Sequence, residues 1–303
     1  MESYRTIEVR TEGRIAHIVL SRPERGNGIT LEMPREITAA VERANLDPAV
    51  HVIALSGKGK GFCGGYDLVA SAEGNMSGMA AEAPSGSPVD PAVIAKNHDP
   101  SVTWDPMVDH AMMSRNVRGF MSLFFSDKPV VCKVHGFCVA GGTDMALCSD
   151  LLLIEDDAKI GYPPARVWGV PTTALWAHRI GAQRAKRLLL TGDCLSGKEA
   201  VEWGLAIESA PREKLDERFQ ILLERIARVP LNQLIMHKLL CNQQILASGV
   251  FASQALGTVF DGIARHTAEG YAFQAAAMSG GFKAAVQERD EPFGDRGSST
   301  FKG

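Results

Sequence analysis

The sequence has no long apolar run. Its longest candidates, Met121–Phe125 and Leu151–Ile154, fall far short of the ~18 residues a membrane-spanning helix needs. It has no marked excess of either charge: 32 basic residues stand against 35 acidic ones, a net charge of −3. That balance leaves no basic stripe for a nucleic acid to occupy. The six cysteines (63, 132, 138, 148, 194 and 241) form no C-x-x-C pair and sit in apolar segments. They read as small core residues of a reducing compartment, and no zinc or other metal site is expected. The first residues carry acids where an export signal needs a basic flank and an apolar stretch, so the expected location is the cytoplasm. What is present is 303 residues, 45% of them hydrophobic, enough for one large domain or two modest ones and too apolar for disorder.

Apolar alternation predicts an opening hairpin over Tyr4–Arg10 and Arg14–Leu20, turning at Glu12-Gly13. A helix follows from about Thr30, a natural N-cap, to Asn45, with Met33, Ile37, Ala40, Val41 and Ala44 on one face. Val50–Ser56 reads as a strand, and Ser71–Asp105 as an irregular insertion whose stretch Glu73–Pro91 is expected to be a loop or flap. Beyond it, Trp104–Phe125 reads as a helix, Lys128–His135 and Leu151–Glu155 as strands, and Arg212–Val229, Leu231–Leu246 and Phe273–Gln287 as helices. Strand–helix alternation followed by a helical tail predicts an α/β core over residues 1–210 and a helical region over 211–303. In the tail, Leu215, Phe219, Leu222, Leu223 and Ile226 recur at helical spacing and need a partner surface, either a second subunit or the chain's own core.

Three glycine signals compete. Gly59-Lys-Gly-Phe-Cys-Gly64 matches the dinucleotide pattern, but an irregular stretch follows it where a helix should open. Gly192-Asp-Cys-Leu-Ser-Gly-Lys198 approaches a phosphate loop, but Glu199 stands where a magnesium-binding hydroxyl belongs; Ser196 and Glu199 read as a capping box instead. The third signal is a pair of glycine turns, Cys63-Gly-Gly-Tyr66 and Ala140-Gly-Gly-Thr143, each after a buried strand. Facing each other they could offer backbone N–H groups to a thioester oxygen, or they could be tight packing turns.

With these blocks in order, the chain resembles the crotonase (enoyl-CoA hydratase/isomerase) superfamily. The resemblance rests on Gly61-Phe-Cys-Gly-Gly-Tyr-Asp-Leu68, on Lys128–Asp150, and on Thr191–Ala200 with Trp203-Gly-Leu-Ala206, and spans nearly the whole chain from Tyr4. It implies a spiral of β-β-α units with a C-terminal helical subdomain, an acyl-CoA substrate, and a homotrimer or dimer of trimers. No separate cofactor is implied, since coenzyme A arrives with the substrate. By position the oxyanion donors fall on Cys63 and Gly141, and the acid/base on Asp144. Coenzyme A is expected to pass Gly64, Gly65, Tyr66 and Asp67, with Arg25 near its nucleotide end.

Two departures stand out. Asp144 replaces the hydratase glutamate, one methylene shorter, and Pro164 falls where the second hydratase glutamate belongs, on the substrate side of the site. Hydration uses two carboxylates to position and split water. Slow hydration is therefore expected, with Glu155 or Asp157 the first suspects for an unrecognised acid. Hydratase or isomerase chemistry leads; a decarboxylase or hydrolase of the same superfamily, and a catalytically weak acyl-CoA-binding protein, are the alternatives. His135 and His178 are expected to be structural, and Asp150 to bind backbone.

Overall fold

The structure, a computed structural model, describes residues 4–67 and 83–294. Residues 73–82 of the Glu73–Pro91 flap expected from sequence lie outside the described residues. Strands β1 (Ile7–Glu12) and β2 (Ile15–Leu20) form the expected antiparallel hairpin. They extend a six-stranded sheet through β3 (Val52–Gly57), β4 (Val130–Val134), β6 (Leu151–Glu155) and β9 (Glu208–Ala210), all parallel from β2 onward. A smaller sheet stacks β5 (Phe137–Val139), β7 (Lys159–Gly161) and β8 (Cys194–Leu195). A parallel backbone β-bridge between Cys63 and Cys138, both free thiols, ties the first glycine turn to it.

Helix α1 (Met33–Leu46) starts three residues later than expected, because the Thr30 hydroxyl accepts from the Glu32 and Met33 amides as a turn before the helix. The irregular insertion holds a helix that periodicity missed, α2 (Pro91–Asn97), which is seven residues long and capped by the Asp90 carboxylate. Helix α3 (Pro106–Phe124) follows, capped by Asp105. The second glycine turn opens α4 (Gly141–Ala146), then come α5 (Trp176–Thr191) and α6 (Gly197–Glu202), which starts with the expected Ser196–Glu199 capping box.

The tail comprises α7 (Arg212–Ala227), α8 (Leu231–Ala247), α9 (Val250–Arg265), α10 (Ala268–Gly280) and α11 (Phe282–Asp290). Sequence periodicity passed over α9 altogether, and it merged α10 with α11 across Gly281, whose φ of 86° ends the helix. The apolar stripe of α7 is covered by the chain itself. Leu215, Phe219 and Leu223 are buried against Ile15, Val52, Val131 and Leu153 on one face of the large sheet. The opposite face packs on α1, α3, α4 and α5. The resulting mixed α/β fold carries its helical part at the C-terminus, and among the described residues no helix is long and apolar enough to cross a membrane.

Candidate active site

The two glycine turns interlock at the junction of the sheets. A Cβ on Gly65 (φ 98°) would lie 2.7 Å from the Ala140 Cβ, and one on Gly142 would lie 2.7 Å from the Cys63 carbonyl oxygen. Only glycine permits this approach. Ala140, just before Gly141, is held at φ 54°, a strained conformation for a residue with a side chain.

The amide expected from Cys63 is already engaged: it donates to the Phe137 carbonyl at 3.2 Å. Burial also pushes the Cys63 thiol up to about 12, so it has no nucleophilic character at neutral pH. The amide that faces the second turn belongs to Tyr66. Ile29 bonds to both neighbours of Tyr66, donating to the Gly65 carbonyl (2.8 Å) and accepting from the Asp67 amide (3.0 Å). In a parallel bridge of that kind the N–H of Tyr66 points away from Ile29. No described backbone bond uses it. Gly141, as the first residue of α4, has no intrahelical acceptor for its own N–H. A Cβ on Gly141 would lie 2.7 Å from Tyr66 Cε2, which places the two residues side by side. The sequence clue to Tyr66 was its place at the end of the Cys63-Gly-Gly-Tyr66 turn.

Asp144 follows one turn into α4 and is 1% exposed. Its Oδ1 accepts from the Thr173 amide (3.0 Å) and the Thr173 hydroxyl (2.8 Å), while Oδ2 has no protein partner. Burial raises its pKa to about 7, and the charge of Asp261 adds to that rise against the two Thr173 bonds. An acid so placed titrates where proton transfer at neutral pH requires.

The stretch Val170–Thr173 thus forms a strap under the carboxylate, and α9 clamps it. Gln254 Nε2 donates to the Thr173 carbonyl at 3.0 Å. A side chain at Gly257 would strike the Pro171 carbonyl at 2.9 Å, and Asp261 accepts from the Val170 amide. Asp261 in turn pairs with Arg265, which reaches Asp109 of α3, each at 3.1 Å. None of Thr172, Thr173, Gln254 or Asp261 was singled out from sequence. The available signal was a polar and glycine stripe at helical spacing (Gln254, Gly257, Asp261, Arg265) along an otherwise apolar segment.

The remaining expected residues separate. Asp67 is buried and its carboxylate is held by Arg22 (2.8 Å) and Arg25 (3.0 Å), so Asp67 and Arg25 brace the first turn. The Gly64 amide likewise bonds to the Gly26 carbonyl. Pro164 lies in a 3-10 turn, Pro163–Arg166, and places no acid there. Glu155 accepts from the Gly136 amide, outside the site, as does the carboxylate of Asp150 from Val130. His135 contacts the Gly59 carbonyl and His178 the Ser248 hydroxyl, both structural roles. Two cavities flank α3. One, about 580 Å³, runs between α1 and α3 and is lined by Leu31, Met112 and Asn116; the other, about 180 Å³, lies between α3 and α9 around Met121, Phe125 and Phe251.

The family model "Enoyl-CoA hydratase/isomerase" matches residues 10–91 and 106–271. The chain belongs to the enoyl-CoA hydratase/isomerase family. A crystal structure of an enoyl-CoA hydratase from Mycobacterium smegmatis is 54% identical over 98% of both chains, with a TM-score of 0.91. A carnitinyl-CoA dehydratase from Proteus mirabilis is 26% identical over 73% of this chain and 74% of its own length. A hydroxycinnamoyl-CoA hydratase-lyase from Pseudomonas fluorescens is 26% identical over 71% and 70%. The chain is therefore an enzyme of the crotonase superfamily, whose members act on acyl-CoA thioesters.

Proposed function

We propose that this family member moves protons on an acyl-CoA thioester through an enolate whose oxygen is held by the amides of Tyr66 and Gly141. Asp144 is the acid/base. It removes a proton from the carbon beside the thioester carbonyl and delivers it elsewhere on the acyl group. The single observation that carries this reading is the Asp144 carboxylate, with one oxygen fixed by Thr173 and the other unpartnered and buried beside the two glycine turns. The α4 N-terminus adds a favourable field for the developing oxyanion. No cofactor enters this chemistry, because the thioester itself delocalises the charge. With proline at 164, hydration of crotonyl-CoA is slow, and Asp144→Glu raises it only slightly. The cytoplasm, where acyl-CoA thioesters meet reduced cysteines, is the location this reading assigns.

The proposed assembly is a homotrimer or dimer of trimers. Its support is the set of large apolar side chains left exposed on α8 and α9, among them Leu239, Leu240, Phe251, Leu256 and Phe260. A monomeric mass by light scattering at micromolar concentration overturns it.

The function is tested by incubating the enzyme with enoyl-, 3-hydroxyacyl- and malonyl-type CoA thioesters and following products by mass spectrometry. Isomerised, hydrated or dehydrated product supports the reading. Loss of carbon dioxide or of free acid as the sole reaction identifies a decarboxylase or hydrolase instead.

A further inference from the structure

We propose that the hydroxyls of Tyr66 and Thr172, with the free oxygen of Asp144, form a subsite that holds an oxygen on the acyl chain, either a hydroxyl substituent or the water that becomes one. The proposal rests on the acyl-CoA reading above and narrows its substrate class. Three buried oxygens from three separate elements meet here: the first glycine turn, the 170–173 strap and α4. Thr172 is fully buried, and its hydroxyl lies beside both the Asp144 carboxylate and the Tyr66 phenol. None of the three oxygens makes a hydrogen bond of good geometry to protein among the described residues, and the Thr172 hydroxyl is near enough to Tyr66 and Asp144 to interact only weakly with each. A buried polar atom without a partner costs about 1–3 kcal/mol. Valine and phenylalanine fill the same volumes without that cost, so packing alone gives no reason for the two hydroxyls.

The geometry points to a ligand oxygen. The Tyr66 ring lies against Gly141, so its hydroxyl sits one ring length beyond the amide of the same residue. An acyl group whose thioester oxygen is on the Tyr66 and Gly141 amides extends past that ring toward Asp144. Asn116, which also neighbours the Tyr66 hydroxyl, lines the 580 Å³ cavity. An ionised carboxylate only accepts hydrogen bonds, whereas the two hydroxyls both donate and accept. A hydroxyl or water satisfies all three at once; an alkyl group satisfies none.

In the dehydration direction, Asp144 takes the proton from the carbon beside the carbonyl. The C–H electron pair moves into the enolate, with charge on the thioester oxygen, and then returns to form the new carbon–carbon double bond as the adjacent C–O bond breaks with its pair on oxygen. Asp144 then passes its proton to that oxygen, which leaves as water, and hydration is the reverse. The hydroxyls hold the oxygen that a second carboxylate at position 164 would otherwise orient. They do not replace it as a base, since burial pushes the Tyr66 phenol well above its ordinary pKa.

The test is calorimetric binding of 3-hydroxybutyryl-CoA and butyryl-CoA to the enzyme and to Tyr66→Phe, Thr172→Val, Thr172→Ser and the Tyr66→Phe/Thr172→Val double variant. The unmodified enzyme is expected to prefer the hydroxylated ligand by about tenfold, the worth of one good hydrogen bond. The double variant loses that preference, each of Tyr66→Phe and Thr172→Val loses part, and Thr172→Ser retains it. No preference in the unmodified enzyme, or the same preference in the double variant, overturns the subsite. Exchange of the butyryl-CoA C2 hydrogens in D₂O separates this outcome from the broader reading, because exchange needs the thioester oxygen on the amides and Asp144 but no oxygen farther along the acyl chain. Absent exchange with the preference intact removes the enolate mechanism and keeps the subsite.

Discussion

Thr173 bonds to Asp144 twice, by its amide at 3.0 Å and its hydroxyl at 2.8 Å, and both bonds go to the same carboxylate oxygen. One oxygen is thereby fixed in place and the other left for chemistry. The strap that achieves this is itself gripped by α9, so a helix of the C-terminal tail reaches the proposed acid/base through two contacts, Gln254 with Thr173 and Asp261 with Val170.

Removing the charge at 261 is expected to lower the pKa of Asp144, because Asp261 is one of the causes of its elevation. Asp261→Asn keeps an acceptor for the Val170 amide while losing the charge. The acidic limb of the pH–rate profile should move to lower pH, and the Asp144 carboxyl carbon followed by NMR should titrate earlier. An unmoved titration shows that Asp261 serves the strap alone.

Asp144 also couples the fold to pH. Its folded pKa, about 7, lies above the unfolded value near 3.8. The folded state thus binds the proton more tightly, and the stability this contributes is complete below pH ~4 and lost as pH rises through 7. Asp144→Asn, which needs no proton, should melt increasingly above the unmodified enzyme between pH 5 and 8.5. The gap is expected to reach a few kcal/mol, judged from a shift of this size at about 1.4 kcal/mol per unit. Activity is lost in the same variant. Melting curves with the same gap at both pH values contradict the assignment.

Gly141→Pro deletes one proposed oxyanion donor, and turnover should fall about 10²–10³-fold. Gly141→Ala keeps the N–H but drives a Cβ to within 2.7 Å of the Tyr66 ring and 2.9 Å of Ile29 Cδ1. It should therefore lose activity as well, chiefly through displacement of Tyr66. Circular dichroism and melting must show both variants folded; a folded proline variant with near-normal turnover places the thioester oxygen elsewhere.

Asp67→Ala removes the carboxylate that two guanidiniums share and loosens the first glycine turn. The cost is expected to be roughly 2 kcal/mol, below the about 3–5 of a fully buried pair, since Arg22 and Arg25 are 18% and 33% exposed. Denaturant midpoints measure it. A change under about 0.5 kcal/mol shows that the two pairs are ordinary surface contacts.

Much of this protein was legible in the residues themselves. The hairpin, the core strands, the Ser196–Glu199 box and the two glycine turns are local patterns, fixed by side-chain alternation, capping chemistry and the steric freedom of glycine, whereas Asp144 was singled out only through the family resemblance. Tertiary structure decided the rest, because it depended on which groups were already engaged. The Cys63 amide bonds to Phe137 in a bridge between distant segments, whereas the Tyr66 amide has no backbone acceptor among the described residues. The stripe of α7 found its partner in the chain's own sheet, a choice that periodicity alone leaves open. Thr172, Thr173 and Asp261 carry no local signature. They reach Asp144 only because α9, some hundred residues downstream, folds back over the strap; that contact depends on packing between segments far apart in the chain.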